Sequence, residues 1–318
     1  MHSRPNPYAI APMMGWSTQH FRYWLSLLFR DVDIYTEMIT ANAIVFGDHA
    51  RLLADRDPKN RVLQLGGSDP KLCAKAANLA YGAGYRHLNL NVGCPSDRVQ
   101  NALIGACLMK HAQTVAEVIK AMQVADDVLV SVKCRIGVDE HDSPEFLEDF
   151  IGTVSEAGCR TFFIHARKAW LTGLSPRQNR DIPPLIYDRV FLMKKLFPDH
   201  FIGINGGIKT LEAAHELLAK TDQVMFGRLA IERQRDLVAI AKNKGFLERE
   251  PVQLFSQYLA YLQEMRSEHS MYFLLQPIMP LLHDFKGARE LRRSCGQLMQ
   301  NRGDVVSFFE KLIEVFPD

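Results

Sequence analysis

The sequence predicts an α/β fold: a (β/α)8 TIM barrel followed by an all-helical C-terminal domain. Three observations carry that expectation. Short apolar runs alternate with amphipathic stretches eight times before about residue 241. No Gly-x-Gly-x-x-Gly follows the first run, as an open doubly wound sheet would normally show. After KNKGFLEREP (242–251) the strand-like runs stop. Alternating strands and helices make parallel βαβ units, and eight such units close into a barrel. The expected domains are a catalytic barrel over 1–245 and a helical domain over 246–318.

The strand candidates are YAIAPM (8–13), IYTEMI (34–39), VLQLGG (62–67) and HLNLNVG (87–93). LVSVKCRIG (129–137), TFFIHA (161–166), FIGINGG (201–207) and QVMFGR (223–228) complete the set. Amphipathic stretches such as 111–125, 145–157 and 210–220 lie between them. Ser143 before Pro144 reads as an N-cap with proline at the first helical position. Beyond the barrel, 252–268, 271–283, 285–300 and 303–316 read as helices.

Composition narrows the class. The chain has 318 residues, long enough for such a barrel and an appendix, with 47% hydrophobic and 23% charged residues, as in ordinary globular proteins. Its net charge is only +2, so affinity for a polyanion must come from local patches. The six cysteines lack Cys-x-x-Cys or framework spacing and read as reduced thiols of a cytosolic protein. MHSRPNPYAIAPMM has no signal-peptide core, and the apolar run 271–282 is short for a membrane span and holds two prolines. A cytoplasmic protein is expected, with no membrane association and no obligate protein partner.

In a barrel, alternate side chains face the interior, and catalytic groups gather at the carboxyl ends of strands. With that period, Gln64, Asn89, Asn91, Lys133, Arg135, His165, Arg167 and Asn205 fall on one parity, with Arg228 after the eighth strand. One inward polar group is commonly a satisfied core residue; six strands carrying one each point to a ligand. The ends NGGI and FGR supply Asn205, Gly206, Gly207, Gly227 and Arg228, which suit a phosphate. Lys133 could neutralise an electron-rich ring and Gln64 could pair with an amide edge. Together these features point to flavin mononucleotide (FMN). His165 has no partner at metal spacing, so it reads as a ligand contact and no metal is expected.

Cys94 lies between Gly93 and Pro95 where the fourth strand ends. A free thiol, with a reference pKa near 8.5, is protonated at neutral pH and can donate a proton. No neighbouring base activates it as a nucleophile, so general acid is the expected role. Residues 160–180 carry Arg160, Arg167, Lys168, Arg177 and Arg180 without one acid. FKGARELRR (285–293) places Arg289, Arg292 and Arg293 on one helical face. Both patches suit phosphate-backbone contacts, as they would suit plain solvated surfaces.

These motifs, chiefly NLNVGCPSDRVQN, VKCRIG, IHARKAWLTGLSP, INGGI and FGR, resemble the tRNA-dihydrouridine synthase family over essentially the whole chain. HARKAWLTGLSPRQNRDIPPL resembles its A-type branch, which acts on D-loop uridines 20 and 20a. The resemblance implies Pro12, Met13 and Met14 along the flavin, and Gln64 and Lys133 at its ring. It implies His165, Asn205, Gly206, Gly207, Gly227 and Arg228 at the ribityl and phosphate parts. NADPH would reduce the flavin, hydride would pass to uracil C6, and Cys94 would protonate C5. Asn91 would contact the target nucleotide, with Arg177, Arg180, Arg289 and Arg292 orienting the tRNA. After FGR the chain reads LAIERQRD, where relatives commonly continue with small residues and Asn-Pro. Three other readings stay open: an FMN oxidoreductase of a free pyrimidine or small enone, a silent tRNA-binding barrel, and a flavin-free phosphate-binding barrel.

Overall fold

Eight parallel strands, each hydrogen-bonded to the next, close into a barrel in the order β1 to β8. They are β1 (Tyr8–Ile10), β2 (Val32–Thr40), β3 (Arg61–Gly66), β4 (His87–Val92), β5 (Leu129–Arg135), β6 (Thr161–His165), β7 (Phe201–Asn205) and β8 (Gln223–Phe226). This computed structural model describes residues 6–29, 32–96, 103–234, 251–283, 285–300 and 302–315. The expected (β/α)8 barrel and the C-terminal helices are therefore both present.

Several strands end earlier than their apolar pattern. β1 stops before Pro12, which has no N–H to give a ladder. β7 stops at Asn205 because Gly206 and Gly207 turn to φ +116° and +67°. The residues lost from the strands form the rim of the barrel.

The interior is layered by the two-residue period. Ala9, Ala11, Tyr35, Val62, Phe163 and Met225 form a buried apolar floor, with the Tyr35 and Phe163 rings edge-on at 5.6 Å between centroids. Gly203 makes room for it, since a Cβ there would lie 2.5 Å from the Phe163 ring. Two residues further along β3 and β6 come Gln64 and His165, so polar groups sit just above apolar ones. Register completes the polar tier. Gln64 pairs with Asn89 and Asn89 with Ser131, while Arg135 pairs with His165 and His165 with Asn205.

The helices begin where the sequence marks them. Ser143 accepts the Phe146 N–H at 3.1 Å ahead of Pro144–Glu156, and Asp69 accepts that of Leu72 at 3.0 Å ahead of Pro70–Gly82. Each such cap is worth about 1 kcal/mol.

The chain separates into two compact units: residues 1–15 with 33–227, and residues 16–32 with 228–318. The second unit contains the helix Gln19–Leu28, which follows β1 in sequence, as well as the C-terminal helices. That helix buries Phe21, Trp24, Leu25 and Leu28, and its Trp24 ring meets Tyr258 edge-on at 5.1 Å. The His20 imidazole bonds the Tyr261 hydroxyl at 2.6 Å. Further helices of this unit are Pro251–Met265, Met271–Leu275, Ala288–Met299 and Val305–Val315. Among the described residues, no helix is long and apolar enough to cross a membrane.

Candidate active site at the strand ends

The thiol loop follows β4. Asn91 Oδ1 accepts two backbone N–H groups, from Gly93 at 3.1 Å and from Cys94 at 2.9 Å, which folds the chain into a tight turn. The Cys94 carbonyl accepts the Ala106 N–H at 2.8 Å. Gly105 permits that approach: it adopts φ +87°, and a Cβ there would strike the Cys94 carbonyl oxygen. Cys94 itself is half-buried, whereas Cys134 and Cys159 are fully buried. Burial pushes both of those thiols up to about 12, leaving them inert. Residues 97–101 of the motif lie outside the described residues.

Asn91 is backed by other amides. Its Nδ2 donates to Gln64 Oε1 at 2.8 Å, and Gln64 Nε2 donates to Asn89 Oδ1 at 2.8 Å. Asn89 Nδ2 then donates to Ser131 Oγ at 2.9 Å. Gln64 is thus fully buried and bonded to two neighbours below the rim.

Arg135 holds the same loop from another side. Its guanidinium donates to the Gly93 carbonyl at 2.9 Å and to the carbonyls of Lys168 at 3.0 Å and Asn179 at 2.9 Å. Burial lowers its pKa to about 10, so it remains a cation at neutral pH. The thiol loop is thereby tied to the arginine-bearing loop after β6. That loop is organised by buried Asn179, which accepts the Trp170 N–H at 2.8 Å and returns an N–H to the Trp170 carbonyl at 2.9 Å. Asp139, a non-glycine residue at φ +48°, accepts the Leu171 N–H and pairs with Lys110, each at 2.8 Å. Trp170 carries the Lys168 ammonium over its ring at 4.2 Å. Arg177 and Arg180 of this loop are exposed.

The adjoining part of the rim, from β5 to β7, is differently built. Lys133 Nζ donates to Asn205 Oδ1 at 3.1 Å, and Asn205 Nδ2 donates to the Met225 carbonyl at 2.8 Å. Loss of hydration, then repulsion from Arg135, lowers the Lys133 ammonium to about 8. His165 is buried, and burial together with Arg135 and Lys133 holds its pKa well below the usual imidazole range, so it is neutral. Its Nε2 has no hydrogen-bond partner among the described residues. Beside it, a Cβ on Gly206 would lie 2.6 Å from His165 Cδ2 and 2.9 Å from Nε2. Gly206 is fixed by the Tyr187 hydroxyl, which donates to its carbonyl at 2.7 Å. Gly227 opens onto free space: among the described residues, nothing stands within 4 Å of the place a Cβ would take.

The remaining sequence-selected residues fall outside this pattern. Pro12 and Met13 are half-buried after β1, and Met14 is exposed. Arg228 belongs to the second unit, where its carbonyl accepts the Glu232 N–H at 2.7 Å. Also in that unit, Arg289 is exposed, whereas Arg292 is half-buried and donates to the Leu282 carbonyl at 2.6 Å. Among the described residues, no group of three or more His, Cys, Asp or Glu could hold a metal. Sequence reasoning did not single out Ser131, Asp139 or Asn179. Their only local signals were a polar residue inside an apolar strand and turn-forming residues within a charged loop.

Comparison with known proteins agrees over nearly the full length. The family model described as dihydrouridine synthase matches residues 9–314. A Shigella flexneri protein named tRNA-dihydrouridine(20/20a) synthase is 43% identical over 316 residues, covering 98% of this chain and 93% of its own. A protein of the same name from Escherichia coli K12 is also 43% identical, covering 98% and 92%. Its Pseudomonas putida namesake is 44% identical over 322 residues, covering 98% and 96%. With so complete a match to the family model and to named members, the chain belongs to the dihydrouridine synthase family.

Proposed function

We propose that this chain reduces uridines 20 and 20a of tRNA to 5,6-dihydrouridine, with FMN bound at the barrel rim and Cys94 as the proton donor. Membership of the family supports uridine reduction, and relatives over 40% identical carry the 20/20a name. The observation that carries the cofactor reading is His165: a neutral, buried imidazole whose Nε2 lacks a partner among the described residues, next to glycines with no Cβ to fill the space. A buried polar atom of this kind calls for a ligand atom. Lys133 adds a cation within the same rim.

FMN, reduced by NADPH, would supply the hydride for uracil C6. The protein's own residues do the rest. His165, Asn205, Gly206, Gly207, Gly227 and Arg228 hold the ribityl and phosphate parts, and Pro12, Met13 and Met14 border the ring. Lys133 and the second N–H of Gln64 face its polar edge. Cys94 gives its Sγ proton to C5, and Asn91 keeps that side chain at the turn from which it must act. Asn91 also contacts the target nucleotide. The exposed Arg177 and Arg180 contact the tRNA backbone, as do Arg289 and Arg292 of the helical domain, taken as 246–318. The target base must leave its stack to reach a barrel rim, as in other base-modifying enzymes. A tRNA substrate and NADPH suit an activity in the cytoplasm.

The test is anaerobic. Purified protein is reduced with NADPH, unmodified tRNA is added, and the oxidised-flavin absorbance is followed. Its rapid return on tRNA, with no return on free uridine, is expected. A band that bleaches with NADPH and is restored by free uridine but not by tRNA would instead identify a small-molecule oxidoreductase.

A further inference from the structure

Four side chains on three strands form an unbroken series of hydrogen bonds that ends on the backbone of the thiol loop. It starts at Ser131, whose hydroxyl donates to the Leu88 carbonyl at 3.2 Å and accepts from Asn89 Nδ2 at 2.9 Å. It passes through Asn89 and Gln64 at 2.8 Å, and through Gln64 and Asn91 at 2.8 Å. It finishes where Asn91 Oδ1 receives the N–H groups of Gly93 and Cys94.

The direction of this relay is imposed at its Asn91 end. Two N–H donors converge on one atom of Asn91, so that atom is the amide oxygen and Nδ2 is left to donate toward Gln64. At the other end the Ser131 hydroxyl accepts from Asn89 and donates to the Leu88 carbonyl, with the Tyr35 side chain as a further partner, so it follows the polarity set at Asn91. Between them, Gln64 and Asn89 each have one permitted orientation. An amide turned over at either place would set N–H against N–H or oxygen against oxygen. Ser131 is 4% exposed and Asn91 9%, with Gln64 and Asn89 fully buried, so bulk water offers no substitute partner.

The loop is held by two independent sets of ties. Its carbonyls are fixed by others: Gly93 O by Arg135 and Cys94 O by Ala106. Its N–H groups are fixed through the relay. Loss of the relay therefore leaves the loop attached and turns it.

We infer that Asn89 and Ser131, neither of which bonds to Cys94, are positioning residues for the reaction. They set the orientation of Gln64 and Asn91, and through these the direction in which the Cys94 side chain leaves the loop. The inference rests on Cys94 being the proton donor. Proton delivery depends on placement at this scale, since a misplacement of about 1 Å can lower a rate by about 10²-fold.

The decisive variants are Asn89→Leu, which removes the amide, and Asn89→Asp, which keeps an acceptor facing Gln64 Nε2 while Ser131 turns to donate. Ser131→Ala trims only the far end. Two quantities are measured in each. One is iodoacetamide alkylation of Cys94 relative to Cys107 in the same protein, by peptide mass spectrometry. The other is the single-turnover rate of tRNA uridine reduction, separated from KM for tRNA.

Asn89→Leu should shift the alkylation ratio about fivefold and lower the single-turnover rate about tenfold with KM unchanged. Asn89→Asp should return both to within about twofold, and Ser131→Ala should move both about twofold in the direction of Asn89→Leu. The inference is overturned if Asn89→Leu leaves ratio and rate unchanged, or if Asn89→Asp is as impaired as Asn89→Leu. Should Asn89→Leu not fold, an unchanged ratio in Ser131→Ala overturns it equally. A full rate in Cys94→Ala would overturn the proton-donor reading instead. The alkylation ratio needs no turnover and would still report on the relay.

Discussion

The two sides of the barrel rim follow opposite rules. On the β3–β5 side the polar groups answer one another: Ser131, Asn89, Gln64 and Asn91 form a closed series, and Arg135 satisfies three backbone carbonyls. On the β6–β7 side, His165 keeps a buried nitrogen without a protein partner among the described residues, beside two glycines in left-handed conformations. Buried polar groups are nearly always paired, so the first side is satisfied from within, while the open nitrogen of the second calls for a ligand atom. On the proposed function, one side carries the thiol and the other would receive the cofactor.

Separate lesions should dissociate the two sides. Cys94→Ala should lower tRNA uridine reduction by about 10²-fold or more, the usual loss for a proton donor, while flavin content stays that of the unmodified protein. Rapid-quench assays of dihydrouridine against flavin absorbance decide it, and an unchanged rate removes Cys94 from the mechanism. Gly206→Ala should do the converse. The new Cβ lies within 2.9 Å of His165 Nε2 and forces alanine to φ +116°, so flavin affinity should fall about tenfold or more. Flavin fluorescence titration measures that loss, and the Cys94 alkylation rate should not move. Equal effects of both variants on both readouts would erase the distinction between the sides.

Lys133 gives the cofactor side a pH dependence. Its ammonium is held at about 8, below the ordinary lysine range, because burial penalises the charge. Flavin affinity should therefore decline as pH rises from 7 to 9, and Lys133→Met should flatten that decline. Stability runs the other way. The unfolded chain keeps this proton to about pH 10.4, so between 8 and that value it binds more protons than the folded protein. The Lys133 contribution to folding free energy thus grows with pH across that window and is absent below it. Chemical denaturation of the flavin-free protein at pH 7 and pH 9.5, wild type against Lys133→Met, isolates the contribution. A wild type that loses more stability than Lys133→Met over that interval would contradict the sign.

Much of this contrast was legible in the sequence, though not its wiring. The two-residue period placed Gln64, Asn89, Asn91, Lys133, Arg135, His165 and Asn205 on one parity, and strand register pairs Gln64 with Asn89, Asn91 with Lys133, and His165 with both Arg135 and Asn205. What the parity could not convey was who bonds to whom. The bond from Gln64 to Asn89 spans 25 positions and that from Asn89 to Ser131 spans 42, and both depend on strand register. Ser131 gave no warning, because a serine within LVSVKC interrupts an apolar run without advertising a partner. Asp139 and Asn179 act through backbone groups of a loop whose path has no periodicity to read. The helix Gln19–Leu28 marks a different limit. Its apolar stripe shows that it packs, but not that it packs on Tyr258 and Tyr261 among the C-terminal helices.

The smallest expected effect separates two arginines that share one helix. Arg289 is exposed on Ala288–Met299, while Arg292 already donates to the Leu282 carbonyl. A guanidinium engaged with its own backbone has fewer donors and less freedom to follow a phosphate. Arg289→Ala should weaken tRNA binding a few-fold and reduce the slope of log K against log salt by about 0.7–0.9, as expected for one lost phosphate contact. Arg292→Ala should change the slope less and the melting temperature more, because it leaves a carbonyl without its donor. Filter binding from 50 to 200 mM salt reads the slope, and thermal unfolding reads the second effect. If Arg292→Ala gave the larger slope change and no loss of melting temperature, Arg292 would be the stronger phosphate contact of the two and its bond to Leu282 incidental.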